Sequence, residues 1–147
     1  MDYYGYAGTI LHVDLSSGEI NKEPLDLDLA KHFLGGFGLN SKLAYDLIKP
    51  GIDPLSPDNV LIIGAGPLVG TNAPATPRSV GTTKFPLTGL IATGSGSMHL
   101  GVMLKWAGYD HVIITGKAKE PVYLKILDDN VEICSAKHIW GRDIDET

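Results

Sequence analysis

Val60-Leu61-Ile62-Ile63-Gly64-Ala65-Gly66-Pro67 is an unbroken apolar run that ends abruptly in glycine and proline. Such a run predicts a strand over Val60–Ile63 that is buried on both sides. Glycines directly after a buried strand let backbone N–H groups approach an anionic ligand. Dinucleotide-binding folds open in this way, but Gly64-Ala65-Gly66-Pro67-Leu68-Val69-Gly70 brings its third glycine one residue late for Gly-x-Gly-x-x-Gly. The Gly-Lys-Ser/Thr of a phosphate loop is also missing. The flanking sequence shows no strict alternation of strand and crossover helix, which disfavours a doubly wound parallel sheet.

Toward the N-terminus, Thr9–Leu15 alternates Leu11, Val13 and Leu15 against His12 and Asp14, the pattern of a half-buried strand. Ser16-Ser17-Gly18 turns the chain and Glu19–Glu23 returns as a more polar partner. Asp26 or Asp28 can N-cap a short helix through Phe33-Leu34, stopped by Gly35-Gly36. A second helix is predicted over Leu39–Ile48, with Leu39, Leu43 and Leu47 on one face and Pro50-Gly51 as its breaker. Toward the C-terminus, Ser79–Lys84 and Leu90–Thr93 read as strands around the Pro86–Gly89 turn. Ser97–Ala107 reads as a helix with Met98, Val102 and Trp106 on one side. His111–Thr115 is an apolar strand, and Val122–Leu127 with Val131–Cys134 makes a hairpin through Asp128-Asp129-Asn130. Asp143-Ile144-Asp145-Glu146-Thr147 has the acidic form of a helix start, as expected of a piece of a longer protein. The predicted class is α+β: a strand-dominated single domain, residues 1–147, of β-sheets with a few short helices.

Composition narrows the function. The chain has 147 residues, 44% of them apolar and 20% charged, ordinary values for a folded domain. A net charge of −5 without any basic run excludes a general nucleic-acid binder. No apolar run approaches the roughly 18 residues of a membrane span. Met1-Asp2-Tyr3-Tyr4-Gly5 has neither the basic nor the apolar region of a signal peptide. A soluble, cytoplasmic protein is expected. The single cysteine, Cys134, excludes an internal disulfide and an all-cysteine metal site, and reads as a packed strand residue.

Two segments could carry chemistry. In Gly64–Arg78 the glycines could admit an anion and Arg78 could clamp it, or the segment could be a tight loop with a surface arginine. Thr93-Gly94-Ser95-Gly96-Ser97-Met98-His99 could be an anion site at a helix N-terminus, or merely an N-cap with flexible glycines. His99 reads as a structural helix residue. No zinc pattern or Ser-His-Asp arrangement is apparent.

The order of motifs resolves the ambiguity. Tyr4–Gly18, Leu34-Gly35-Gly36-Phe37-Gly38-Leu39, Asp53–Asn59, Gly66–Thr71, Thr83–Gly89, Leu104–Asp110, Gly116-Lys117-Ala118 and His138-Ile139-Trp140-Gly141 follow one another along the whole chain. Together they resemble the N-terminal domain of the tungsten-containing aldehyde:ferredoxin oxidoreductase family. That resemblance implies a base of β-sheets for a bis-pterin cofactor carrying tungsten or molybdenum, beside a 4Fe–4S cluster. It implies oxidation of small-molecule aldehydes to carboxylic acids, with ferredoxin as electron acceptor. Arg78 matches the family's pterin-contacting arginine. Ser95, Gly96 and Ser97 match the segment where backbone groups meet the pterin phosphates, and Ser95 matches a ligand of the magnesium ion that bridges them.

Many relatives have Asn-Ser-Gly-Gly where this chain has Ser95-Gly96-Ser97-Met98, which keeps the magnesium site only if a backbone carbonyl is the ligand. The cluster cysteines of the family lie outside this chain, so the isolated polypeptide is expected to be inert and to partner the remaining domains of its enzyme. An exposed glycine-rich apolar face would also favour a homodimer. Three alternatives are carried forward: a domain of a tungsten-dependent aromatic acyl-CoA reductase, a noncatalytic assembly module, and an independent nucleotide-binding protein.

Overall fold

The computed structural model describes residues 4–97 and 99–147. Thr9–Asp14 (β1) points Leu11 and Val13 to one side and Ile10 to the other, all nearly inaccessible. It pairs antiparallel with Glu19–Pro24 (β2). In Leu27–Phe33 (α1) the carboxylate of Asp26 accepts the N–H groups of Asp28 and Leu29, while Lys31 and His32 complement the dipole at the far end.

Phe37–Leu47 (α2) begins two residues before the expected Leu39. A Cβ on Gly38 would fall on the carbonyl of Phe33, so the glycine there permits close packing on the end of α1 rather than spacing the helices apart. The buried stripe of α2 is Leu39, Asn40 and Ala44. It is turned away from the expected leucine line, and Leu47 is 38% exposed.

The remaining elements are Leu61–Ala65 (β3), Arg78–Lys84 (β4), Ile91–Ser97 (β5), His99–Trp106 (α3), His111–Thr115 (β6), Val122–Leu127 (β7) and Asn130–Ser135 (β8). The first six strands form one sheet in the order β2-β1-β6-β3-β4-β5. β1 and β6 run parallel, and every other neighbouring pair in the sheet is antiparallel. β7 and β8 make a separate hairpin. The α+β, strand-dominated reading holds.

Two apolar clusters place the layers. Ile10, Ile62 and Ile113 on the first face pack against Ala30 of α1 and Leu39, Ala44 and Ile48 on and beside α2. On the second face Leu11, Val13 and Val112 pack against Leu104 of α3 and against Leu124, Ile126, Val131 and Ile133 of the hairpin. The hairpin covers only the β1–β6 half of that face. β3, expected to be buried on both sides, therefore has Leu61 39% exposed.

Two further expectations change. Ser97 is the last residue of β5, not the first of a helix, and α3 starts at His99. The inner face of α3 is Gly101, Leu104 and Lys105, whereas Trp106 is 67% exposed and Val102 only half-buried. Met98, expected on the same side as Val102 and Trp106, lies outside the described residues. Lys105 can face inward because its ammonium meets the Asp110 carboxylate at 2.6 Å and donates to the Gly5 carbonyl at 2.5 Å. Asp110 in turn accepts the N–H groups of Ala7 and Gly8, at 3.0 and 2.7 Å. This buried pair binds α3 and the start of β6 to the segment entering β1. At the C-terminal end, the Asp143 carboxylate accepts the N–H groups of Asp145 and Glu146, and the expected helix start is a turn over 144–146.

Candidate functional site

β5 lies at the end of the sheet, and its sequence Ile91-Ala92-Thr93-Gly94-Ser95-Gly96-Ser97 leaves it thinly covered. Its backbone alternation follows from two bonds. The Phe85 N–H donates to the Leu90 carbonyl at 2.9 Å, and the Ser79 hydroxyl donates to the Gly96 carbonyl at 3.3 Å. With Gly81 opposite Gly94 and Ser79 opposite Gly96, the ladder to β4 uses the backbone groups of Gly94 and Gly96. The N–H and C=O groups of Thr93, Ser95 and Ser97 therefore point outward from the free edge. No further strand takes them up among the described residues.

Arg78 begins β4 directly opposite Ser97, on the first face of the sheet. Its Nη1 donates to Ser95 Oγ at 3.3 Å, and the side chain is otherwise exposed. The expected grouping of Arg78, Ser95 and Ser97 is thus present, but as the end of a strand pair rather than as a loop entering a helix. Gly96 belongs to the other face, its backbone engaged with β4.

On the second face, the half of the sheet left open by the hairpin forms a trough of about 410 Å³. Leu61, Ile63, Phe85 and Leu100 wall it, and Gly81 and Gly94 form its floor. A Cβ at either glycine would meet nothing within 4 Å, so these positions leave open space that a side chain would fill. This glycine-clad sheet was not legible as a site, since alternating glycines read as loop.

The turn before α2 closes the first face of this end of the sheet. Gly36 sits against Val80, the neighbour across from Ser95. Leu34 makes a strained γ-turn at φ 62° and ψ −68°, with the Gly35 N–H donating to the Phe33 carbonyl. The Tyr6 hydroxyl donates to the Leu34 carbonyl at 2.5 Å and holds the turn in place.

Below Val80 lies a polar cluster that sequence reading also missed. Asn40 on α2, fully buried, donates through Nδ2 to the carbonyls of Ile62 and Val80 and to Thr82 Oγ1. Its Oδ1 lies 2.8 Å from His111 Nδ1, which therefore carries the proton, and His111 Nε2 has no hydrogen-bond partner among the described residues. Burial pushes the His111 pKa down to about 4, opposed by the Asp110 carboxylate and assisted by the Lys105 ammonium. The unfolded chain then binds more protons than the folded one between pH 4 and 6.5. Stability should be complete above pH 6.5 and fall by about 3 kcal/mol as pH drops through that window. Urea unfolding as a function of pH measures the loss, and imidazole NMR assigns it. A His111 ring that titrates near its ordinary value would contradict this account.

Among the described residues no group of three or more His, Cys, Asp or Glu side chains is placed to hold a metal ion. None of the described helices is long and apolar enough to cross a membrane. Cys134 is half-buried on β8.

Comparison with known proteins shows the family and the fold. Residues 10–147 match the family model described as aldehyde ferredoxin oxidoreductase, N-terminal domain. The chain is 47% identical over 144 residues to the tungsten-containing aldehyde ferredoxin oxidoreductase of Pyrococcus furiosus, covering 98% of this chain and 24% of that protein. It is 40% identical over 141 residues to the WOR-like subunit of an aliphatic sulfonate oxidoreductase from the same organism, covering 94% of this chain and 22% of the relative. Among solved structures, a chain of the active-site complex BamBC of benzoyl coenzyme A reductase, in complex with 1,5-dienoyl-CoA, superposes with a TM-score of 0.92 at 40% identity. That match covers 94% of this chain and 21% of the other. The chain thus spans about a quarter of the length of the curated relatives it matches. With the family model matched over almost all of its length, this chain belongs to the aldehyde ferredoxin oxidoreductase N-terminal domain family.

Proposed function

We propose that this chain is the cofactor-cradling N-terminal domain of a longer tungstopterin or molybdopterin oxidoreductase that oxidises aldehydes to carboxylic acids and passes the electrons to ferredoxin. The observation that carries the reading is the free edge of β5 beside Arg78. Outward-facing N–H groups on Ser95 and Ser97, together with a guanidinium, suit the phosphates of a pterin cofactor. The open glycine floor at Gly81 and Gly94 lies on the opposite face of the sheet from Arg78, with room for a large planar group that would reach the arginine across the β5 edge.

When bound, the bis-pterin metal would supply the redox chemistry, which no side chain of this domain can perform. The domain's own residues bind and orient. Arg78 neutralises anionic cofactor oxygens. Ser95 and Ser97 donate backbone N–H groups, and Gly96 keeps the floor free of a side chain. The outward carbonyl of Ser95 is a hard oxygen ligand suited to the bridging magnesium. Its side chain is already engaged by Arg78, so serine in place of the common asparagine leaves that carbonyl role intact. The 4Fe–4S cluster must be held by residues outside this chain, because Cys134 is its one cysteine.

Arg78→Ala in the full-length protein tests the assignment. Arg78 is exposed, so the substitution should change unfolding stability by less than about 0.5 kcal/mol. Tungsten per protein should nevertheless fall on the order of tenfold, the scale set by one charge-assisted bidentate contact. Unchanged metal content would remove Arg78 from the site. The close structural match to a benzoyl coenzyme A reductase chain supports a second reading, reduction of an aromatic acyl-CoA. Parallel assays of the full-length protein with an aldehyde and with an aromatic acyl-CoA separate the two.

A further inference from the structure

The useful groups of β5 depend on its register, which the Phe85–Leu90 bond sets where the strand leaves the Pro86–Gly89 turn and which the residues after Ala92 do little to hold. Side chains alternate with a period of two, so a slip by one residue turns every side chain to the opposite face. Thr93-Gly94-Ser95-Gly96-Ser97 contains no large apolar residue that would resist this, and Gly94 through Ser97 are exposed. A slip would turn the N–H and C=O groups of Ser95 and Ser97 inward to β4 and those of Gly94 and Gly96 outward.

Two contacts from β5 reach buried residues of β4: the Ser79 hydroxyl on the Gly96 carbonyl, which any residue in that slot would offer, and one between side chains, which depends on the residue. Thr93 Oγ1 lies 3.1 Å from Thr82 Oγ1, directly opposite it. Thr82 is fully buried and accepts a hydrogen bond from Asn40 Nδ2 at 3.2 Å. Asn40 is itself tied to the Ile62 carbonyl on β3, the Val80 carbonyl on β4 and His111 on β6. The Thr82 hydroxyl is therefore held by three strands and one helix before it meets Thr93. The Arg78–Ser95 contact, by comparison, is made at the exposed surface.

We propose that Thr93 is a positioning residue: its hydroxyl, pinned to Thr82 and through it to Asn40, carries the register set at the turn through to the end of β5 and so keeps the backbone groups of Ser95 and Ser97 at the free edge. The register claim stands on the contacts alone, and its consequence for cofactor binding rests on the function proposed above.

The test is residue-resolved amide exchange on full-length protein grown without tungsten or molybdenum. In the unsubstituted protein Ser95 and Ser97 should exchange at least ~10-fold faster than Gly94 and Gly96, because only the latter pair with β4. Thr93→Val keeps the shape and removes the hydroxyl, and should reduce that ratio below about threefold, whereas Thr93→Ser should preserve it. Thr82→Val removes the same pair from the other strand and should reduce the ratio likewise. Retention of the alternation in a folded Thr93→Val or Thr82→Val protein overturns the inference. In metal-replete protein, tungsten content should follow the same order, with serine rescuing what valine loses. Loss of alternation without tungsten or pterin in any of the proteins would leave the register inference standing and overturn the cofactor reading.

Discussion

Asp110→Ala should destabilise the domain by about 3–5 kcal/mol, because it leaves the ammonium of Lys105 buried without its counter-charge. The side chains of Lys105 and Asp110 are 6% and 1% exposed, so solvent cannot substitute for the missing partner. The same change strips the N–H groups of Ala7 and Gly8 of their acceptor and frees the segment that leads into β1. Part of the cost comes from the stranded charge itself, which gives the prediction an internal control. Lys105→Met combined with Asp110→Ala should be less damaging than Asp110→Ala alone, since the charge is then absent. Urea unfolding of the three proteins measures this, and a double variant no more stable than Asp110→Ala would contradict it.

Gly64→Ala should cost on the order of 3 kcal/mol through overpacking. An added Cβ would fall on the imidazole of His111 and lie 2.5 Å from Asn40 Oδ1. Neither neighbour can move cheaply. His111 is fully buried, and Asn40 holds three strands to α2. Gly94→Ala is the matched comparison, because its Cβ would meet nothing within 4 Å. It should change stability by less than about 1 kcal/mol, while obstructing the floor on which the cofactor is proposed to lie. Equal destabilisation by the two substitutions would mean that the polar cluster under the sheet is far looser than its distances indicate.

These residues also show where sequence reading reaches and where it stops. β1 and the β7–β8 hairpin are legible from their alternation of apolar and polar residues, the physical signature of a half-buried strand, whereas β6 is legible as an apolar run and β2 as the polar return after the Ser16–Gly18 turn. β5 was truncated at Thr93 because alternating serine and glycine carries no such signature. Its pairing comes from β4, which no local pattern reports. The buried faces of α2 and α3 differ from the apolar lines in their sequences for a related reason. Asn40 and Lys105 are polar and would be placed outward by periodicity, yet both are buried by partners distant in sequence, His111 and Thr82 for one and Gly5 for the other. Arg78 and Ser95–Ser97 enter as pterin-site candidates only through the resemblance to the family. The glycine floor and the pin beneath it needed the sheet itself.

The most direct test of the central claim is the metal and pterin content of the full-length protein, purified anaerobically after growth with both tungstate and molybdate. Close to one tungsten or molybdenum per polypeptide is expected, with pterin released on denaturation. A correctly folded full-length protein with neither metal nor pterin would contradict it and leave the domain as a noncatalytic module that has kept the fold.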